Sequence, residues 1–316
     1  MNARPLLRLG TRGSPLALAQ AEEVRRRLGA AHPDLAAEGA VAVVVIKTTG
    51  DRIQDRALSE IGGKGLFTKE IEEALIAGEI DAAVHSMKDV PTWLPAGLTV
   101  DHLLPREDPR DAFFSPHGTR IADLPQGAVV GTASLRRQAQ ILARRPDLKV
   151  VNIRGNVATR LRKLAEGEVD ATLLAVAGLK RLGEAERITA ALAPEEMLPA
   201  VGQGAIGLEI RGDDTTTRAR LDAIACAETM TRVGAERALL AQLDGSCKTP
   251  IAGLAELFDG GARLRLRGLV ALPDGSRLHA DAVEGPTSEA QALGRRLGER
   301  LQAAAGPAFL AAITAP

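Results

Sequence analysis

Ile80-Asp81-Ala82-Ala83-Val84-His85-Ser86-Met87-Lys88-Asp89-Val90-Pro91 is the stretch that decides the fold. Ile80 to Val84 reads as a short buried strand. At its end the apolar pattern stops, and His85, Ser86, Lys88 and Asp89 come just before Pro91, which forbids simple continuation of a helix or central strand. In open α/β sheets, polar groups at a strand's carboxyl end face the crevice where ligands bind. The stretch therefore predicts a sheet of that kind, with Asp89 and Lys88 at its binding edge.

Upstream, Leu6 to Leu9 reads as a first strand. It is followed by Gly10-Thr11-Arg12-Gly13 and by Ser14-Pro15, an N-cap and the proline favoured at the first helical position of a helix that runs to about Gly29. A strand from Val41 to Lys47, a glycine-rich loop at Ile61 to Gly65 and a helix from about Thr68 to Ala77 complete a β-α-β-α-β rhythm, the mark of a mostly parallel sheet covered by helices.

Downstream, Pro105 to Asp111 dissolves into charge and proline, and a hinge is expected there. The rhythm then restarts: strand Ala128 to Gly131, helix Leu135 to Arg145, strand Lys149 to Ile153, helix Val157 to Ala165, strand Asp170 to Val176. The joints Gly10-Thr11-x-x-Ser14 and Gly131-Thr132-x-Ser134 resemble each other. Gly, Thr and Ser are good turn and cap formers in any protein; the alternative is two similar lobes closing on one cleft. Ala200 to Ile210 is a glycine-rich lead into another apolar strand, placed to return to the first lobe. From about Asp222 the texture is a helix from Ala223 to Leu243, a loop with Cys247, strands broken at Asp259-Gly260-Gly261 and Pro273-Asp274-Gly275, and a helix from Ser288 to Ala305. The expected domains are 1–104 with 203–222, 105–202, and a small α+β domain over 223–316.

Bulk properties narrow the function. A chain of 316 residues, 45% hydrophobic, is long enough for two or three domains with proper cores. Forty basic residues balance forty acidic ones, and aromatics make up 2%, which disfavours a nucleic-acid or anionic-membrane partner. Of the basic residues 32 are Arg and 8 Lys; the arginine fork suits carboxylates and phosphates, so position must decide which Arg matter. Ala17-Leu18-Ala19 imitates a cleavage site, but Arg8 and Arg12 interrupt the segment before it and leave no apolar core for an export signal. No run approaches the roughly 18 to 20 apolar residues of a membrane span. Cys226 and Cys247, in different local settings and outside metal-ligand spacing, suit a reducing cytoplasm and no metal site.

Three strand-to-helix joints present positive groups: Thr11, Arg12 and Ser14; Thr132, Ser134, Arg136 and Arg137; and Arg154 with Arg160. A helix N-terminus already carries about half a positive charge, so Arg there costs stability unless an anion arrives. Without a Walker-type GKS/T or an acidic metal triad, an organic polycarboxylate is the better ligand than a nucleotide. Gly62-Gly63-Lys64-Gly65 reads as a flexible lid rather than a phosphate loop. Asp89 then stands out as an acid in a positive cleft, suited to stabilising a developing cation or accepting N–H protons, where a structural reading has it cap a turn or pair with Lys88. Cys226 reads as core filling. Cys247 lies in a loop beside Lys248, whose charge favours a thiolate, and covalent attachment is its remaining active role.

Taken together, HSMKDVP, GTASLRRQ (the joint after Val130), Ile153-Arg154-Gly155-Asn156, AVAGLKRLG (175–183), LPAVGQGA (198–205) and GSCKTPIA (245–252) resemble the porphobilinogen deaminase family over essentially the whole chain, in the family's order and spacing. The resemblance implies a three-domain enzyme whose first two lobes look like type II periplasmic binding proteins, with a dipyrromethane cofactor held as a thioether on the third domain. Such an enzyme joins four porphobilinogen molecules head to tail, releases ammonia at each step, and frees hydroxymethylbilane by hydrolysis. It is expected to be a cytoplasmic monomer, its product passing to uroporphyrinogen III synthase. By the resemblance, Asp89 matches the catalytic aspartate and Cys247 the cofactor-bearing cysteine. Ser86, Lys88, Thr132, Ser134, Arg136, Arg137 and Arg160, with Asp89, match cofactor-holding positions, while Arg12, Ser14, Arg154, Arg181 and Gln203 match substrate or elongation positions. Ala133 replaces a serine common in the family, and Gly245 to Thr249 departs from the GGCQVP form. The other class of reading, a two-lobed anionic-ligand binding protein without catalysis, needs neither a third-domain Cys nor an acid among the Arg.

Overall fold

The computed structural model describes residues 5–52, 67–245 and 249–314. The chain divides into two compact units, one of Met1–Ile53, Gly63–Glu107 and Ala205–Met230, the other of Gln54–Gly62, Asp108–Gly204 and Thr231–Pro316.

In the first unit, β1 (Leu7–Thr11), α1 (Pro15–Ala31), β2 (Val41–Val45), α2 (Thr49–Arg52), α3 (Lys69–Ile76), β3 (Ala82–Ser86) and β4 (Leu98–Leu103) follow in sequence. α1 begins where the sequence predicts, with Ser14 Oγ accepting from Ala17 N at 3.2 Å and Pro15 in the first turn. It buries Ala17, Gln20, Ala21, Val24 and Leu28, one helical stripe. Asp81 anchors the start of β3 to β1 by accepting from Arg8 N at 2.8 Å and from its Nη2 at 2.6 Å.

In the second unit come β5 (Asp111–Phe114), β6 (Val129–Gly131), α4 (Leu135–Arg144), β7 (Lys149–Val151), α5 (Val157–Ala165), β8 (Ala171–Ala175), α6 (Val176–Arg181) and β9 (Ala190–Ala191). The chain then returns to the first unit as β10 (Ile206–Arg211) and α7 (Thr215–Asp222).

The two sheets share a connectivity: β2-β1-β3-β10-β4 in the first unit and β7-β6-β8-β5-β9 in the second. In each, the fourth strand runs against its neighbours: β10 is antiparallel to β3 and β4, and β5 to β8 and β9. The remaining strands point one way, so the mostly parallel sheets expected from the sequence each contain one reversed strand. It is the strand by which the chain enters or re-enters that sheet. Alternation places helices on both faces. Ala82 and Val84 pack with Ala21, Val24 and Leu28 on one side, while Ala83 packs with Ile71, Ala74 and Leu75 on the other. In the second unit Phe113 joins Ile141 on one face, and Ala112 and Phe114 join Leu161 and Leu179 on the other. Each fully buried Leu or Phe in these layers contributes about 1.5–3 kcal/mol.

α8 (Ala227–Gln242) belongs to the second unit from Thr231 on, and the rest of that unit is an antiparallel sheet of β11 (Ile251–Phe258), β12 (Arg263–Ala271) and β13 (Leu278–Pro286), then α9 (Ala290–Ala305) and α10 (Pro307–Thr314). Leu239, Leu264, Leu266, Leu293, Leu297 and Phe309 share its core. The single helix predicted from Ala223 to Leu243 starts later, at Ala227. Cys226, read from sequence as core filling on that helix, instead precedes it, only partly buried, with its backbone N–H donated to Leu103 O at 2.8 Å.

Candidate functional site

The turn after β3 lies against β10, in the register Ile206 to Ser86 and Gly207 to His85. Met87–Asp89 form a single 3₁₀ turn, with Met87 N donating to Ala205 O at 3.0 Å and Val90 N to Met87 O at 3.3 Å. Met87 is buried, and the space it fills exists because residue 207 is Gly: a Cβ there would overlap the Met87 sulfur. This packing holds the turn so that Ser86, Lys88 and Asp89 line a pocket in the first unit with Arg12, Ser14 and Gln20. The β3 turn and the β1–α1 joint, singled out separately in the sequence, are thus brought together.

Within this pocket Asp89 is partly buried, and no hydrogen bond or ion pair to another described residue engages its carboxylate. The Arg12 guanidinium lies 4.1 Å from the Phe67 ring centroid, a cation–π arrangement that holds the charge at the pocket wall. Gln20, missed in the sequence because it sits on the buried stripe of α1, is 3% exposed and donates from Nε2 to Ser86 Oγ at 2.8 Å. It orients the hydroxyl of a residue that the sequence did identify.

In the second unit Thr132 and Ser134 build the joint between β6 and α4. Ser134 N donates to Thr132 Oγ1 at 3.2 Å, and Ser134 Oγ accepts from Arg137 N at 3.4 Å as the N-cap. Arg136 and Arg137 are buried, and the anion that meets them is Asp111, at the head of β5. Arg137 donates to Asp111 Oδ1 from Nη2 at 2.7 Å and from Nε at 3.2 Å, and to Leu173 O from Nη1 at 2.8 Å. Arg136 Nη2 stands 2.8 Å from Asp111 Oδ2, within ion-pair distance but off the hydrogen-bond axis, and its Nη1 donates to Leu198 O at 2.7 Å. Burial would raise the Asp111 pKa, but the two guanidinium groups outweigh it and hold the carboxyl well below the usual carboxylate range.

At the joint between β7 and α5, Gly155 adopts a left-handed φ of 114° and Asn156 caps the helix, accepting from Thr159 N at 2.9 Å. Arg160 folds back to donate from Nε to Gly155 O at 3.0 Å. Burial, and then the positive charges of Arg137 and Arg154, bring its pKa down to about 10. No carboxylate among the described residues pairs with it. With two other guanidinium groups close enough to depress it, Arg160 marks a place for an anion.

Arg181 and Gln203, also expected at the site, make internal bonds. Arg181 Nη2 donates to Gly204 O at 2.9 Å. Gln203, 1% exposed, donates from Nε2 to Pro109 O at 2.7 Å and to Asp111 Oδ1 at 3.0 Å, and so steadies the carboxylate that holds Arg136 and Arg137. Buried Glu236 of α8 accepts from Gly202 N and Ala255 N, each at 2.8 Å. Cys247 and the Gly62–Gly65 loop lie outside the described residues. Among the described residues no helix is long and apolar enough to cross a membrane, and no cluster of His, Cys, Asp or Glu could hold a metal ion.

Comparison with known proteins bears directly on this arrangement. Residues 7–219 match the family model "Porphobilinogen deaminase, dipyromethane cofactor binding domain", and residues 230–303 match "Porphobilinogen deaminase, C-terminal domain". The chain is 60% identical over 303 residues to porphobilinogen deaminase of Paracoccus denitrificans, covering 96% of each chain. It is 56% identical over 306 residues to the chloroplastic porphobilinogen deaminase of Oryza sativa, covering 96% of this chain and 85% of that one. Among solved structures, a putative methionine-binding lipoprotein from Bacillus subtilis overlaps 71% of this chain and 91% of its own at 12% identity and a TM-score of 0.41, a likeness too slight to bear on function.

Proposed function

Because the chain belongs to the porphobilinogen deaminase family, we propose that Asp89 is the acid serving its reaction and Cys247 the residue bearing its dipyrromethane cofactor. The activity is that of a transferase of tetrapyrrole biosynthesis, in which porphobilinogen units are joined with loss of ammonia and leave as hydroxymethylbilane. When bound, dipyrromethane supplies the pyrrole carbon to which the first substrate unit is joined. The positive cluster of Arg137, Arg154 and Arg160 fits such a group, whose periphery carries carboxylates. Thr132, Ser134 and Arg136 stand at the same joint as Arg137, and Ser86 and Lys88 complete the set in the first-unit pocket.

The chain's own residues divide the work by charge. Porphobilinogen is anionic at its acetate and propionate, which Arg12 and Ser14 are placed to meet in the first-unit pocket, with Arg154 in the second unit. Its reacting carbon becomes cationic when ammonia leaves, and a carboxylate beside that carbon lowers the barrier by opposing the new charge. Asp89 is suited to the task because no described residue neutralises it, and that observation carries the reading. Lys88 then meets the ligand's periphery. Arg181 and Gln203 act on elongation through the segments they brace rather than through free side chains. The three sheets support a division into 1–104 with 203–222, 105–202 and 223–316, and the scarcity of cysteine supports a reducing cytoplasm.

Intact-mass measurement tests the cofactor assignment. Freshly purified active protein is expected to weigh more than its sequence by one covalently bound dipyrromethane, and Cys247→Ser to weigh its sequence alone. An unmodified mass in the active wild-type protein would refute the assignment.

A further inference from the structure

A buried histidine–carboxylate contact joins β3 to β10 just before the Asp89 turn. His85 faces Gly207 across the antiparallel pair of β3 and β10, and its Nε2 lies 2.8 Å from Oε2 of Glu209, two residues further along β10. The side chains are 4% and 0% exposed, and Glu209 Oε1 has no hydrogen-bond partner among the described residues. Isolated carboxylates are not buried without a counter-group, since desolvation costs several kcal/mol. The counter-group here is the imidazole of a residue that itself lines the Asp89 pocket.

Glu72 of α3 is buried on the same side. Burial first, and then the nearby Glu209 charge, push its carboxyl above the ordinary range, while His85 pulls the other way. Of the two buried acids near His85, Glu72 is the one whose carboxyl pKa burial raises, and Glu209 the one in contact with the ring. The titratable groups around His85 are thus Glu209 from β10, Glu72 from α3, and, on the pocket side, Arg12, Lys88 and Asp89. Alternate positions of β10 share the labour: Glu209 holds His85, and Gly207 leaves room for Met87. Together they fix the residues on either side of Ser86.

We propose that Glu209, through His85, is a positioning residue for Asp89: the pair pins the carboxyl end of β3 and so sets where the following turn presents its carboxylate. The inference rests on the reading of Asp89 as the reacting acid. A displacement of about 1 Å at such a group costs on the order of a hundredfold in rate, so even partial release of the turn is measurable.

Glu209→Gln keeps the shape and removes the charge. It is expected to lower kcat about ten- to a hundredfold while KM stays within about twofold, with the cofactor mass present and cooperative thermal unfolding retained. In an Asp89→Asn background the same substitution is expected to remove less than about twofold more, because the group it positions is already gone. His85→Gln, which keeps a hydrogen-bonding group toward Glu209, is expected to show the same kcat-selected loss in smaller measure and serves if Glu209→Gln does not fold. Wild-type kcat in the folded variants, or a full additional loss on top of Asp89→Asn, would overturn the inference. Normal turnover in Asp89→Asn alone would instead overturn the underlying reading of Asp89.

Discussion

Asp111 holds two arginines that carry opposite implications depending on what they meet. Arg136 and Arg137 at a helix start implied an incoming anion, because charge of that sign is unfavourable there. The structure supplies the anion from within the chain, at 2.8 and 2.7 Å. The sequence hid this for a physical reason: Asp111 closes a tract of charge and proline that reads as a hinge, and nothing in its neighbours marks it as the first residue of a buried strand. Arg160 is the opposite case, an arginine pressed by Arg137 and Arg154 with no carboxylate of its own among the described residues. Asp111→Asn is predicted to cost about 3–5 kcal/mol near neutral pH, because it leaves buried guanidinium groups uncompensated. Since the folded state depresses the Asp111 pKa, its contribution is present above the unfolded value of about 3.9 and is lost as pH falls toward the folded one. Urea unfolding of variant and wild type should differ most at pH 7, and the difference should begin to shrink only below about pH 4; a difference under about 1 kcal/mol at pH 7 would contradict the burial of an essential pair.

At the scale of elements, what the sequence showed best was the starts of helices. Ser14, Ser134 and Asn156 each cap the helix that the pattern places after them, since capping is local chemistry read within four residues. What escaped it was contact between elements distant in sequence: the reversed direction of β5 and β10, the clasp of Gln20 on Ser86, and the break before α8. Helix packing in the second unit rests on glycine. A Cβ at Gly294 of α9 would strike the Ala235 carbonyl of α8, and one at Gly298 would strike the Gln242 side chain. Because the first obstacle is backbone, Gly294→Ala cannot be relieved by a rotamer change and should cost about 1–3 kcal/mol, read as a lowered Tm. An unchanged or raised Tm, the ordinary result of Gly→Ala in a helix, would show that α8 and α9 are not in this close register.

For the whole molecule, a repeated sheet connectivity gives each α/β portion a set of strand-to-helix joints, and charge divides between them. The first unit offers the Asp89 carboxylate in a pocket with Arg12 and Lys88; the second offers Arg160 under the positive charge of Arg137 and Arg154. Porphobilinogen chemistry needs both, a grip on peripheral carboxylates and an acid for the carbon that loses ammonia. The stretch from Ile80 to Pro91 carried most of that reading, because a strand end, a proline and four polar side chains are local features. The proposed cofactor attachment at Cys247 rests on family resemblance. The most direct test is the turnover of Asp89→Asn in protein verified to carry its cofactor by intact mass and to unfold at the wild-type temperature. The account predicts a loss of about a hundred- to a thousandfold in kcat, the scale of removing one preorganised electrostatic group from a transition state; a rate within about tenfold of wild type would contradict it.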